Sequence, residues 1–217
     1  PSKWGAEVLC SELAHEKVEV APLGVDPMIF HSWEARYKKK ETDLFTFLAV
    51  GKYEIRKSYQ EIIEAFELSF PKDSKHRLLL KLDNFFVSNA NSKASKLIKP
   101  ERKHQIIIVK NNLHKNYLQV EVMAQLYRSA HCFLFPSKGE GWGLPLIEAI
   151  SSGIPYIATN YSGQTEYLKY CNQVYSDVSY SKEIIKDDFF LRFNKFEKNK
   201  AVTWAQPEVK DLATKMN

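Results

Sequence analysis

The chain has 217 residues, 44% hydrophobic and 26% charged, near the averages for soluble globular proteins, which excludes a disordered, collagen-like or membrane-bundle chain. A formal net charge of +5 favours anionic partners (nucleotides, anionic lipid surfaces or nucleic acid) without selecting among them. No apolar run approaches the roughly 20 residues that cross a bilayer, and Pro1-Ser2-Lys3-Trp4-Gly5 carries no signal-peptide pattern, so a cytoplasmic protein is expected.

Cys10, Cys132 and Cys171 have no C-x-x-C spacing and the histidines form no H-E-x-x-H pair. Neither a disulfide framework nor a metal centre is expected. The basic stretches Arg36 to Lys40 and Lys93 to Lys103 read as solvated faces, and neither has the aromatic interleaving or motif of a nucleic-acid binder.

In chain order, Phe45-Thr46-Phe47-Leu48-Ala49-Val50 predicts a buried strand ending at Gly51. Tyr59 to Phe70 follows with Ile62, Ile63, Ala65, Phe66 and Leu68 at helical spacing. The strand signal returns at Leu78 to Leu82, Ile106 to Val109, Cys132 to Phe135 and Pro155 to Ala158. Helices are predicted near Ala90 to Ile98, Val120 to Ser129 and Leu144 to Ser152. Short, nearly continuous apolar strands separated by helices imply an α/β fold with a doubly wound, Rossmann-like parallel sheet covered on both faces. In such a sheet the loops beginning at Gly51, Lys110, Pro136 and Thr159 share the carboxyl rim, where ligands bind. Residues 1–30 read as a hinge and linker, 31–170 as the Rossmann-like domain, and 171–217 as a helical edge, with Ser181 to Asn217 expected to pack as helices.

Five of the eight glycines (Gly139, Gly141, Gly143, Gly153, Gly163) fall within 25 residues, interspersed with Pro136, Pro145 and Pro155. Backbone freedom concentrated in this way marks a ligand loop. Pro136-Ser137-Lys138-Gly139-Glu140-Gly141-Trp142-Gly143-Leu144-Pro145 follows a strand and opens a helix. Pro145 suits the first helical turn, and Gly141, Trp142, Gly143 and Leu144 would present unpaired amides at the positive end of the helix dipole, where a diphosphate is stabilised. The loop is not a dinucleotide fingerprint, because Leu144 stands where the third glycine is needed, and no Walker sequence exists. Glu140 lies between two glycines, and its expected role is to bind hydroxyls or a cation. Glu148 is favoured either by the helix dipole or as an acceptor for two vicinal hydroxyls.

The spacing Glu140-x-seven-Glu148, after Pro136-Ser137, resembles the E-x-seven-E motif of the family-four retaining glycosyltransferases of the GT-B fold, in their C-terminal, donor-binding half. Other stretches resemble the family in the same order. They are Pro22-Leu23-Gly24-Val25-Asp26-Pro27; Gly51-Lys52-Tyr53-Glu54-Ile55-Arg56-Lys57, similar to G-[R/K]-x-x-x-x-K; Ser151 to Thr159, similar to S-G-x-P-x-I-A-T; and Ser162-Gly163-Gln164-Thr165-Glu166. The resemblance covers Pro22 to Leu168. It departs at Lys52, where the family often has arginine, at Ser58 and at Leu82 or Asp83, where it has glycine, and at Trp142, where it has phenylalanine.

The resemblance implies a nucleotide diphosphate sugar as donor substrate, with no cofactor and no metal. Lys52 and Lys57 would neutralise the diphosphate, the amides near Gly143 and Leu144 would bind its oxygens, and Glu148 would hold the ribose. Glu140 would contact the sugar, and main chain near Asn112 and Leu113 the base. Expected partners are a glycan or lipid-linked acceptor, the N-terminal domain of the same enzyme, and a peripheral membrane contact, with no nucleic acid. The chain is accordingly expected to be a fragment, inactive alone. Alternatives are a GT-B nucleotide-sugar epimerase, a hydrolase using Glu140 and Glu148, and a non-catalytic nucleotide-sugar-binding regulatory subunit.

Overall fold

The structure, a computed structural model, describes all residues except 14–17, 33–43, 83, 85–86, 88, 111–118, 172–174 and 186–202. Chain order is α1 (Lys3–Leu13), β1 (Phe45–Val50), α2 (Tyr59–Ser69), β2 (His76–Lys81), α3 (Ala90–Ser95), β3 (Ile106–Ile108), α4 (Gln119–Ser129), β4 (Cys132–Phe135), α5 (Leu144–Ser151), β5 (Tyr156–Ala158), α6 (Thr165–Leu168), β6 (Tyr175–Asp177), β7 (Tyr180–Ile184), β8 (Thr203–Pro207) and α7 (Val209–Met216). Short 3-10 turns stand at Ile55–Lys57, Pro100–Arg102 and Ser162–Gln164.

Six strands pair in parallel in the order β3-β2-β1-β4-β5-β6. The central strands β1, β2, β4 and β5 alternate their side chains between two buried layers, as strands covered on both faces must. Phe47 and Ala49 of β1, Leu78 and Leu80 of β2 and Cys132 and Leu134 of β4 join one core with Ile62, Ile63 and Phe66 of α2 and Leu212 and Met216 of α7. Leu48, Leu79, Phe133 and Phe135 point the other way, into a core with Ala124 and Tyr127 of α4 and Leu146 and Ala149 of α5. The predicted strands and helices of residues 45–158 are thus present, and the fold is the doubly wound α/β sheet read from the sequence. Because the chain moves outward from β1 to β3 and then returns to place β4 beside β1, the topological switch lies between the carboxyl ends of β1 and β4.

The ends of the chain differ from expectation. Residues 1–30 contain a helix, α1, whose first turn is tied to the domain by the Lys3 amide donating to Glu166 Oε1 at 2.8 Å. The described residues of 171–217 do not form a purely helical edge: they supply the sixth sheet strand, β6, an antiparallel β7–β8 ribbon paired from Tyr180↔Pro207 to Ile184↔Thr203, and helix α7. In the ribbon strand Thr203-Trp204-Ala205-Gln206-Pro207 the buried residues are Trp204, Ala205 and Pro207, too short and irregular a pattern to read as a strand period.

Helix α7 packs along α2 and completes the core, with Leu212 fully buried and Ser69 Oγ donating to the Ala213 carbonyl at 2.9 Å. Leu212→Ala is therefore expected to destabilise the domain by about 2–5 kcal/mol. Urea unfolding checks this, and an unchanged midpoint would mean that α7 is only appended to the edge.

Candidate functional site

At the switch point the loop after β1 meets the loop after β4. The turn Ile55–Lys57 presents Arg56 and Lys57 towards Glu140, whose carboxylate is 8% exposed. One oxygen of that carboxylate, Oε1, receives everything: Lys57 Nζ at 2.5 Å, Ser137 Oγ at 2.6 Å and Arg56 Nη1 at 2.8 Å. Burial alone would raise the Glu140 carboxyl, but Lys57 and Arg56 outweigh it and hold the group below the usual glutamate range. Burial pushes the Lys57 ammonium down, with Glu140 opposing, and its Nζ also lies 4.9 Å from the Phe135 ring centroid. Arg56 reaches on to Glu54 Oε2 at 2.7 Å and to the Gly139 carbonyl at 3.1 Å.

Main-chain bonds fix the loop as firmly as the charges do. The Lys138 amide donates to the Arg56 carbonyl at 2.8 Å, Thr159 Oγ1 to the Ser137 carbonyl at 2.5 Å and Ala205 N–H to the Lys138 carbonyl at 2.9 Å. On the far side, the Glu140 amide donates to Ser162 Oγ at 2.8 Å and the Gly163 amide to the Glu140 carbonyl at 2.9 Å. A side chain at residue 163 would put its Cβ 2.3 Å from the Gly141 carbonyl oxygen, so glycine is required for this approach. Gly143, at φ 87°, turns the loop into α5, and a Cβ there would meet the Tyr167 hydroxyl at 2.8 Å. Gly141 and Leu144 lie exposed at the mouth, with Leu144 opening the helix and Pro145 in its first turn.

Glu148 lies one turn into α5, beyond the first turn where the dipole acts. Tyr127 of α4, fully buried, donates its hydroxyl to Glu148 Oε2 at 2.8 Å. Burial pushes the Glu148 carboxyl above its ordinary value despite that bond. The two carboxylates of the motif thus shift in opposite directions.

Residues 32–188 match the family model described as Glycosyl transferases group 1. The chain belongs to this family. Among curated relatives it is 31% identical over 112 residues to the serotype-specific mannosyltransferase WbdA of Escherichia coli, a match covering 52% of this chain and 13% of that protein. It is 28% identical over 121 residues to the O-antigen chain mannosyltransferase B of E. coli, covering 56% of this chain and 30% of the relative. The chain therefore spans only a minor part of these relatives. Among solved structures, the C-terminal domain of the group 1 glycosyl transferase LpcC from Francisella tularensis aligns with a TM-score of 0.52 at 24% identity, covering 66% of this chain and 74% of that one. A glycosyltransferase from Rickettsia africae aligns over 99% of this chain and 50% of its own, with a TM-score of 0.67 at 19% identity. These structures share the fold, the C-terminal Rossmann-like half of GT-B.

Within this group 1 domain the sequence-predicted residues divide. Lys57, Glu140, Gly141, Gly143 and Leu144 meet at the switch point. Glu140 does not stand free for a sugar, as the motif reading had it: Oε1 is committed to the protein's own cations, and only Oε2 lacks a partner among the described residues. Trp142 is a core residue rather than a ligand contact through its ring, 7% exposed and packed 5.3 Å from Tyr167. Lys52 is exposed on the same loop, outside the Glu140 cluster. Asn112 and Leu113 lie outside the described residues. Sequence reasoning passed over Arg56, which fills a variable position of the quoted motif. Its signal was being the one other cation in a seven-residue loop already singled out.

Lys138 points away from the mouth. Its ammonium pairs with Glu61 Oε1 of α2 at 2.7 Å and lies 5.0 Å from the Trp204 ring centroid, while Gln206 Nε2 donates to the same Glu61 oxygen at 2.8 Å. The C-terminal ribbon is keyed to the site loop through this contact.

Glu140→Gln would leave the buried Lys57 without a counter-charge, while Arg56 keeps Glu54, and a loss of about 3–5 kcal/mol is expected. The pH dependence follows from the lowered carboxyl. The stabilisation is full above the unfolded glutamate value near ~4.3 and is lost as pH falls through the lower folded value. Acid unfolding of the wild type should therefore have a limb that the variant lacks. Superimposable pH curves would show that the ion pair contributes nothing.

Proposed function

We propose that this domain binds the nucleotide diphosphate sugar of a retaining glycosyltransferase that transfers a hexosyl unit, mannosyl on the precedent of the E. coli relatives, to a glycan or lipid-linked acceptor. The observation that carries the reading is the convergence of Arg56 and Lys57 with the opening of α5 at the β1–β4 switch. A diphosphate seated there would draw the two cations partly away from Glu140 and accept the amides of the Gly141–Leu144 loop.

Cleavage of a glycosyl–phosphate bond builds negative charge on the departing diphosphate. Fixed cations and amides aimed at that position lower the barrier without having to reorganise. Glu140, held ionised by two cations, is unsuited to be a general acid. Its Oε2 is suited to accept a hydrogen bond from a sugar hydroxyl and to stabilise positive charge developing on the ring. Glu148, with Oε2 fixed by Tyr127, offers Oε1 to the ribose. In this reading the protein's own cations and amides meet the diphosphate charge, so it calls for no cofactor or divalent ion. The reaction takes place where nucleotide sugars are made, in the cytoplasm, with peripheral contact to the membrane face. The acceptor and an N-terminal domain complete the enzyme.

Calorimetric titration with GDP and UDP tests the reading. Binding tighter than millimolar is expected, with GDP preferred if the donor is mannosyl as in the relatives. Arg56→Ala or Lys57→Ala should each weaken the diphosphate by about tenfold or more, as expected for a charge-assisted bond, and barely change binding of the nucleoside. Equal losses on both ligands, or a folded wild type that binds neither nucleotide, would sink the assignment.

Glu148→Gln separates a ligand role from a structural one. Because the folded carboxyl titrates above its unfolded value, ionisation opposes folding at neutral pH, and the amide removes that opposition while still accepting from Tyr127. Stability is expected to hold or rise at pH 7 while affinity for both diphosphate and nucleoside falls several-fold. A stability loss with unchanged affinity would return Glu148 to a purely helical role.

A further inference from the structure

Strand β3 ends the sheet on one side, with β2 as its neighbour. Its inward main-chain groups are used: the Leu78 amide donates to the Gln105 carbonyl at 2.8 Å and the Val109 amide to the Leu80 carbonyl at 2.9 Å. Because successive residues of a strand present their main-chain groups to opposite sides, the N–H and C=O of Ile106 and Ile108 point off the edge. No strand among the described residues pairs with them. Natural sheets blunt such an edge with a charge or a proline on the strand. Ile106-Ile107-Ile108 carries neither.

Beside this edge a groove of about 880 Å³ runs between β3 and α3, with Ile98, Ile106 and Ile108 giving it an apolar lining. Asn91 of α3 also lines it, and Asn91 Oδ1 is shielded from solvent without a hydrogen-bond donor among the described residues. Lys103 precedes β3 and Lys110 follows it, both exposed and both on the groove, whose described lining residues include no acid. The carboxylates nearby are committed elsewhere, Glu101 to Lys72 at 3.5 Å and Glu67 to Lys99 at 2.5 Å. We propose that the β3 edge and its groove bind an extended segment of a partner protein, which adds to the sheet as one more strand and carries carboxylates on either side of an apolar centre.

In strand addition the main chain supplies affinity and the side chains supply selection. Here the added strand bonds to Ile106 and Ile108, its apolar side chains rest on the isoleucines of the groove, and its carboxylates meet Lys103 and Lys110. A donor from the same segment satisfies Asn91 Oδ1, a shielded acceptor that otherwise stays a cost to the fold. Charge selects this occupant over a second copy of the chain. Two-fold antiparallel pairing centred on Ile107 would set Lys110 of each copy opposite His104 and beside Lys103 of the other, like charge against like charge. The edge is two strands removed from β1, so an attached partner leaves the β1–β4 switch uncovered.

Amide hydrogen exchange, followed by NMR on the 217-residue chain, reads the edge directly. In the free chain the Ile106 and Ile108 amides should exchange fast and the Val109 amide, bonded to β2, slowly. The probe is a synthetic peptide of alternating valine and threonine with glutamates at both ends. At saturation it should slow Ile106 and Ile108 by about tenfold or more and leave Val109 unchanged. A peptide with the same centre and lysines at both ends should bind about tenfold or more weakly. Lys103→Glu combined with Lys110→Glu should reverse that preference. Ile108→Pro removes an outward N–H and keeps the β2 ladder, since proline is tolerated on the open side of an edge strand, and it should weaken the glutamate peptide several-fold. The lysine variant, altered only at exposed side chains, keeps the test decisive if the proline variant does not fold. Ile106 and Ile108 amides already protected in the free chain, equal binding of the two peptides, or concentration-dependent pairing of the chain through β3 would overturn the proposal.

Discussion

The placement of the site depends on one buried electrostatic contact, the Glu140 carboxylate against Lys57 and Arg56. Removing these charges from water costs several kcal/mol per ion before any attraction is counted, so the pair is a poor source of net stability. What it supplies is position. The β1–β4 pairing aligns Phe47 with Cys132 and Leu48 with Phe133, but the sheet says nothing about how the loops beyond those strands sit relative to each other. Charge does so, together with the Lys138 amide on the Arg56 carbonyl and the Arg56 guanidinium on the Gly139 carbonyl. The two loops that a diphosphate would bridge are thereby held before it arrives. The ligand's own negative charge can take over the cations that Glu140 now neutralises.

Around that contact stands a second set of restraints drawn from distant sequence. Lys138 is almost fully buried, and its charge is met by Glu61 on α2 and by the face of Trp204 on β8, while Ala205 holds its carbonyl. The side chains of consecutive loop residues thus serve opposite ends of the molecule: Ser137 and Glu140 face the cations, and Lys138 faces the C-terminal ribbon. The ribbon and α7 belong to the foundation of the site, since α7 packs on the same α2 that carries Glu61. A change in the ribbon therefore reaches the phosphate loop through one side chain and one hydrogen bond.

The sequence carried the strands and helices of the central sheet because each was a short apolar run or a helical stripe bounded by glycine, proline or polar residues. It also carried the location of the site, because Gly143 and Gly163 mark backbone that a side chain would obstruct. The pairings were not legible. Nothing in the spacing of Lys57 and Glu140, 83 positions apart, says that they form an ion pair rather than serving two parts of a ligand. Nor does the indole of Trp142 announce that it packs on Tyr167. The ribbon was missed because Thr203 to Pro207 is a single short strand whose partner, Tyr180 to Ile184, is exposed and polar. Ser58 is a case where the sequence was informative for a reason visible only in three dimensions. It stands at φ 56° with its side chain fully buried, a left-handed backbone that glycine adopts without strain and serine does not.

The two glutamates of the motif show how environment divides identical side chains between tasks. Glu140 is on the loop, where cations over-compensate its burial, so it remains ionised well below neutral pH. Glu148 is on the helix, where burial is opposed only by a neutral phenol, so its proton is released at higher pH than an exposed glutamate's. Carboxylates pushed apart in this way take different chemical roles. A Glu140 held ionised at neutral pH suits a place beside developing positive charge on a sugar ring. Glu148, with one oxygen bound to Tyr127 and the other open, can exchange hydrogen bonds with neutral hydroxyls at little electrostatic cost. The seven residues between them are what separates loop from helix, so the spacing serves to place two environments, and not merely two carboxylates, along one ligand.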